Sequence, residues 1–114
     1  MNYVYSAFIG RFQPFHLGHA TIIRKLLDEG KRVAVLVRDT GIDADNPYNF
    51  SERKAMIKRS FLKEYRDDDR LIIRSIPDIS EVVYGREVGY EIREIKLGKD
   101  IENISSTKIR NAKK

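Results

Sequence analysis

Gly10-Arg11-Phe12-Gln13-Pro14-Phe15-His16-Leu17-Gly18-His19 decides how the rest of the chain is read. The run before it, Tyr3-Val4-Tyr5-Ser6-Ala7-Phe8-Ile9, is mostly apolar and rich in β-formers. That is the pattern of a central strand buried on both faces of a parallel sheet. After it, Ile22, Ile23, Leu26 and Leu27 fall at the i, i+1, i+4, i+5 spacing of a core-facing helical stripe. The spacing predicts a helix over 18–29, stopped by Gly30. Both histidines therefore sit where a strand hands over to a helix, the place where open α/β sheets bind ligands. A helix start offers unpaired N–H groups and partial positive charge, which suits phosphate. Gly10 permits a close backbone approach or a sharp turn. Pro14 keeps the loop extended and delays the helix.

The chain then alternates. Arg32-Val33-Ala34-Val35-Leu36-Val37 reads as a second buried strand, so strand, helix and strand form a βαβ unit. The polar loop 38–49 follows a strand's C-terminal end and should face the ligand side. Asn49 or Ser51 caps a second helix reaching about residue 65, with Glu52 placed for a capping box. Met56, Ile57, Phe61 and Tyr65 mark its inner face; Arg53, Lys54, Lys58, Arg59 and Lys63 mark a basic, mostly solvated one. Leu71-Ile72-Ile73 is a third strand, and Pro77 takes the chain out of the sheet. Val82-Val83-Tyr84 reads as a fourth strand, 90–97 as a fifth near an edge, and Ser105 or Ser106 as the cap of a short final helix. The expectation is a single α/β domain over 1–114, a doubly wound parallel sheet of about five strands.

Composition narrows the function. With 114 residues there is chain for one core. No cysteine is present, which excludes disulfides and thiolate metal sites. No apolar run approaches the roughly 20 residues that span a bilayer. Residues 1–9 lack the basic start and cleavage site of a signal peptide, so the cytoplasm is the expected location and no membrane partner is expected. The net charge of +5 is spread along the chain, without an Arg-rich block or a nucleic-acid motif. It fits a site for a phosphate-rich small molecule better than a nucleic-acid surface.

His16 and His19 offer a metal pair, but no third histidine or cysteine exists to complete it. The phosphate reading suits them better. Were a nucleoside triphosphate to lie over this loop, attack on its α-phosphorus would build negative charge on its oxygens and on the leaving pyrophosphate. Positioning and charge stabilisation matter more there than covalent help. A phosphate nucleophile is already ionised, so no general base is needed. Near the C-terminus, Ser105, Ser106 and Thr107 place hydroxyls at a helix start, with Arg110 at i+4 from Ser106. That is a second candidate anion site, or an ordinary serine cap beside a surface arginine.

The decapeptide resembles the signature of the nucleotidylyltransferase superfamily, Gly-x-Phe-x-Pro-x-His-x-Gly-His after the first strand. It matches at Gly10, Phe12, Pro14, His16, Gly18 and His19. A second signature of that family resembles Ile104-Ser105-Ser106-Thr107-Lys108-Ile109-Arg110. Gly10 to His16, Asn46-Pro47-Tyr48, residues 51–57 and Ile76-Pro77-Asp78-Ile79 are most similar to the archaeal-type nicotinamide mononucleotide adenylyltransferases. The resemblance implies a Rossmann-like fold and transfer of a nucleoside monophosphate, AMP before CMP, from NTP to a phosphorylated small molecule. It implies His16, His19 and Arg110 as catalytic residues. It assigns nucleotide contacts to Gly10, Arg11, Phe12, Gly18, Ile104, Ser105, Ser106 and Thr107. Arg38, Asn46 and Arg53 fall on the acceptor side. Mg²⁺ accompanies the triphosphate, and a homo-oligomer is expected. The chain departs from those enzymes in having only Ser80-Glu81 between Ile79 and Val82, and no tryptophan. Two rivals stand beside this expectation: a cytidylyltransferase acting with CTP on a phosphorylated alcohol, and a non-catalytic nucleotide-binding module.

Overall fold

The computed structural model describes residues 3–86 and 89–98. Strand β1 (Tyr5–Gly10) is followed by helix α1 (Leu17–Asp28), strand β2 (Arg32–Asp39), helices α2 (Phe50–Ser60) and α3 (Leu62–Arg66), and strand β3 (Leu71–Pro77). The strands pair in parallel in the order β1-β2-β3. Phe8 lies opposite Val35, and Val35 opposite Ile73. This is a Rossmann-like βαβαβ arrangement, as the alternation of patterns implied.

Alternate residues of a strand share a face. Val33, Val35 and Val37 of β2 and Leu71 and Ile73 of β3 project into one cluster with Ile23, Leu26 and Leu27 of α1, Ile57 of α2, and Phe61. Fully burying such a side chain contributes about 1.5–3 kcal/mol. Ile9, Leu36, Ile72 and Ile76, on the opposite face, are only half-buried.

Several expectations are corrected. The sheet has three strands among the described residues, not about five, and β1 is an edge strand rather than a central one. Residues 82–84 and 90–97 form no strand. A further parallel strand needs a crossover of a dozen or more residues, and Pro77 and Val82 are separated by only Asp78, Ile79, Ser80 and Glu81. The three strands also step in one direction, so they make up one half of a doubly wound sheet. The second helix is broken at Phe61, where φ −135° and ψ 42° leave the helical region. Ser60 contributes to the break, since its hydroxyl donates to the Met56 carbonyl at 3.3 Å. No described helix is long and apolar enough to cross a membrane.

Candidate active site

His16 is the N-cap of α1, in an extended conformation, and the cap is built from two imidazoles. The Gly18 N–H donates to His16 Nδ1 at 3.0 Å, and the His16 N–H donates to His19 Nδ1 at 3.2 Å. This is a capping box with histidines in the places that Ser and Glu usually take. Each Nδ1 accepts, so each neutral ring carries its proton on Nε2. Among the described residues no protein acceptor takes either Nε2–H, which leaves two donors for a ligand. The first turn of α1 contains no acidic residue, so its partial positive charge is not offset.

The rings are packed as well as bonded. His16 and His19 stack with centroids 3.8 Å apart. His19 also stacks on Phe15 at 5.6 Å and meets Phe12 edge-on at 4.8 Å. Burial, with His16 beside it, pushes the His19 pKa down to about 3. Burial also lowers His16. Both rings are therefore neutral donors near pH 7.

Phe12 adopts a positive φ of 53° and turns its ring back into the core, 1% exposed. A Cβ on Gly10 would lie 3.0–3.3 Å from that ring. Glycine at position 10 thus serves close packing against Phe12, not a turn. The Phe12 ring, at a position the resemblance assigns to the nucleotide, packs in the core against Phe8.

Loop 39–49 is tied to the histidine loop by polar contacts. Arg11 Nη1 donates to Asn46 Oδ1 at 3.0 Å. Gln13 pairs with the Tyr48 backbone in both directions, at 2.9 and 3.0 Å. Arg53 is 2% exposed, not on a solvated face. Its Nη1 donates to the carbonyls of Arg11 and Arg38, at 2.9 and 2.8 Å, and its Nε to the Asn49 carbonyl at 3.3 Å. Arg38 is held by Asp78 Oδ1 at 2.7 and 3.0 Å and by the Ile79 carbonyl at 3.2 Å. The structure thus brings Gly10, Arg11, His16, Gly18, His19, Arg38, Asn46 and Arg53 to one end of the sheet. Ile104, Ser105, Ser106, Thr107 and Arg110 lie outside the described residues. Sequence reasoning gave no role to Gln13 and Asp78, although both lie in the stretches that carry the resemblance; their partners, the Tyr48 backbone and Arg38, show only in the fold. No group of three or more His, Asp or Glu able to hold a metal occurs among the described residues.

A family model described as cytidylyltransferase-like matches residues 7–74. The chain belongs to the cytidylyltransferase-like family. The matched span includes the strand, the histidine cap and loop 39–49. Among relatives, the nicotinamide-nucleotide adenylyltransferase of Saccharolobus solfataricus is 32% identical over 128 aligned positions, covering 89% of this chain and 74% of the relative. That of Sulfurisphaera tokodaii is 41% identical over 71 residues, 60% of this chain and 40% of the relative. Nicotinamide-nucleotide adenylyltransferase 1 of Sulfolobus acidocaldarius is 36% identical over 71 residues, again 60% and 40%. A crystal structure of a bifunctional NMN adenylyltransferase/ADP ribose pyrophosphatase from Francisella tularensis, complexed with AMP and a Mn ion, superposes with a TM-score of 0.57 at 35% identity. It covers 68% of this chain and 23% of that one. This cytidylyltransferase-like chain therefore spans 40% of two of these archaeal relatives and 74% of the third.

Proposed function

We propose that the chain is an adenylyltransferase that moves AMP from ATP to a phosphorylated small molecule, with nicotinamide mononucleotide favoured, and releases pyrophosphate. The observation that carries the reading is the double-imidazole cap, with two Nε2–H donors at an un-neutralised helix start. The similarity to enzymes named nicotinamide-nucleotide adenylyltransferases supports the base and the acceptor.

In the reaction a phosphate oxygen of the acceptor forms a bond to the α-phosphorus. The bond from the α-phosphorus to the bridging oxygen breaks, and its electron pair leaves on pyrophosphate. His16 and His19 donate hydrogen bonds to phosphate oxygens as charge grows there. No proton need be taken from an acceptor phosphate that is already ionised. Gly18 closes the cap; Arg11, Arg38, Asn46 and Arg53 line or brace the acceptor side. Ile104, Ser105, Ser106 and Thr107 with Arg110 hold the triphosphate tail. A divalent cation, Mg²⁺ by the family resemblance, would be carried by the triphosphate oxygens and would offset their charge. The single-domain organisation, a homo-oligomeric state and a cytoplasmic location complete the proposal.

A second reading keeps the site and changes the base: a cytidylyltransferase, favoured by the description of the matching family model. A non-catalytic nucleotide-binding module is the third, favoured by the short span of the relatives covered. One experiment separates the three. Thermal melting with ATP and Mg²⁺, against CTP and Mg²⁺, reads ligand binding to the native state; pyrophosphate release with nicotinamide mononucleotide then reads turnover. The expected result is a larger shift with ATP, and release. A larger shift with CTP reassigns the base. Binding without release, across a panel of phosphorylated acceptors, reassigns the chain to the module.

A further inference from the structure

Gln13 has no role in the chemistry above, yet it is 1% exposed and both ends of its amide bond to another loop. Its Nε2 donates to the Tyr48 carbonyl, and its Oε1 accepts from the Tyr48 N–H. A side chain here does what a neighbouring strand does in a sheet: it satisfies both backbone groups of one residue. Tyr48 is a sensitive place for such a grip. Two residues earlier is Asn46, whose Oδ1 receives Arg11; one residue later is Asn49, the N-cap of α2. Asn46 is itself buried, with its side-chain amide held by Asp43 at 3.0 Å. Residues 41–45, between these anchors and β2, are exposed. Loop 39–49 is thus fixed at its far end by Gln13 and Arg11, both from the histidine loop.

We propose that Gln13 is a positioning residue that sets the acceptor side of the site, by holding Tyr48 so that Asn46 and Arg11 meet in one geometry. The proposal rests on the reading of loop 39–49 as the acceptor side. The bonds from Gln13 to Tyr48 share no group with the imidazoles' capping bonds, which are internal to the start of α1. Its effect is therefore expected on the acceptor and not on the triphosphate.

The test uses the full chain and the nearly isosteric Gln13→Met, which keeps volume and removes the amide. In pyrophosphate release, Gln13→Met and Asn46→Ala should each raise KM for nicotinamide mononucleotide about fivefold or more, the scale of a lost hydrogen bond, with KM for ATP and kcat within about twofold. The double variant should be no worse than the poorer single one, because both act through one contact chain. Equal rises in both KM values, a fall in kcat alone, or full additivity overturns the proposal. Amide exchange of the wild type keeps the latch testable if Gln13→Met does not fold. The Tyr48 N–H should be protected well beyond those of Gly41 and Ala44, and an unprotected Tyr48 N–H overturns the latch. A wild type that releases no pyrophosphate sinks the adenylyl-transfer reading and the acceptor role with it, while Tyr48 exchange still decides whether the latch exists.

Discussion

The His19 ring lies between two aromatic neighbours, 3.8 Å from the centroid of His16 and 5.6 Å from that of Phe15, and stacks on both. This sandwich ties stability to pH. Burial lowers His16 below its ordinary 6.5 and takes His19 to about 3. The unfolded chain therefore binds more protons than the folded one between those values. Stability is fully present above about pH 6.5 and is lost as pH falls toward 3. Each proton contributes at most about 1.4 kcal/mol per pH unit. The urea midpoint should fall between pH 7 and pH 5, and fall less steeply in His19→Asn, whose Oδ1 supplies an acceptor that does not titrate. A wild-type midpoint that stays flat over this range would contradict the assignment.

The same substitution tests the catalytic role. Asn at position 19 keeps an acceptor for the His16 N–H but places no donor at the position of Nε2. Turnover should drop about a hundredfold or more, the usual cost of one lost donor to developing charge. The thermal shift with ATP should change little, because the contact strengthens only as the charge develops. Equal turnover in the variant rules His19 out of the chemistry.

Gly10→Ala tests the packing of the histidine loop. The new Cβ meets the Phe12 ring at 3.0–3.3 Å, and that ring is locked among Phe8, Phe15 and His19. Overpacking of this kind costs about 1–3 kcal/mol. Chemical denaturation should show that loss, and Phe12→Leu in the alanine background should recover part of it. A Gly10→Ala protein as stable as wild type means that the ring is free to move.

Arg53→Lys changes geometry and keeps the charge. A single ammonium cannot reach the carbonyls of Arg11, Arg38 and Asn49 as the guanidinium does. The Asn49 carbonyl keeps its bond from the Arg53 N–H, so the loss falls on the half-buried Arg11 and Arg38 carbonyls, at most about 1–3 kcal/mol each. The denaturation midpoint should drop accordingly, and amide exchange should rise at the ends of β1 and β2. A lysine variant that retains stability and loses only acceptor affinity would instead make Arg53 a ligand contact.

What the sequence determined by itself was local and periodic. The apolar run of β1 and β2, the stripe of α1 and the Asn49–Glu52 capping box are written in short-range spacing, and they appear where that spacing puts them. The histidine signature likewise placed both imidazoles at the strand-to-helix joint. Tertiary structure decided whatever depends on a distant partner. Residues 82–84 and 90–97 have strand-like composition, yet they join no sheet; 82–84 follow Pro77 too closely for a crossover, and in 90–97 Ile95 packs on the core and Arg93 pairs with Glu29 instead. Arg53 reads as one more cation on a basic helix face, yet it is buried because two strand ends supply carbonyls there. Gln13 is an unremarkable position in a loop until Tyr48 arrives from 35 residues away. Spacing along a chain fixes which face a side chain occupies; only the fold supplies the groups that face meets.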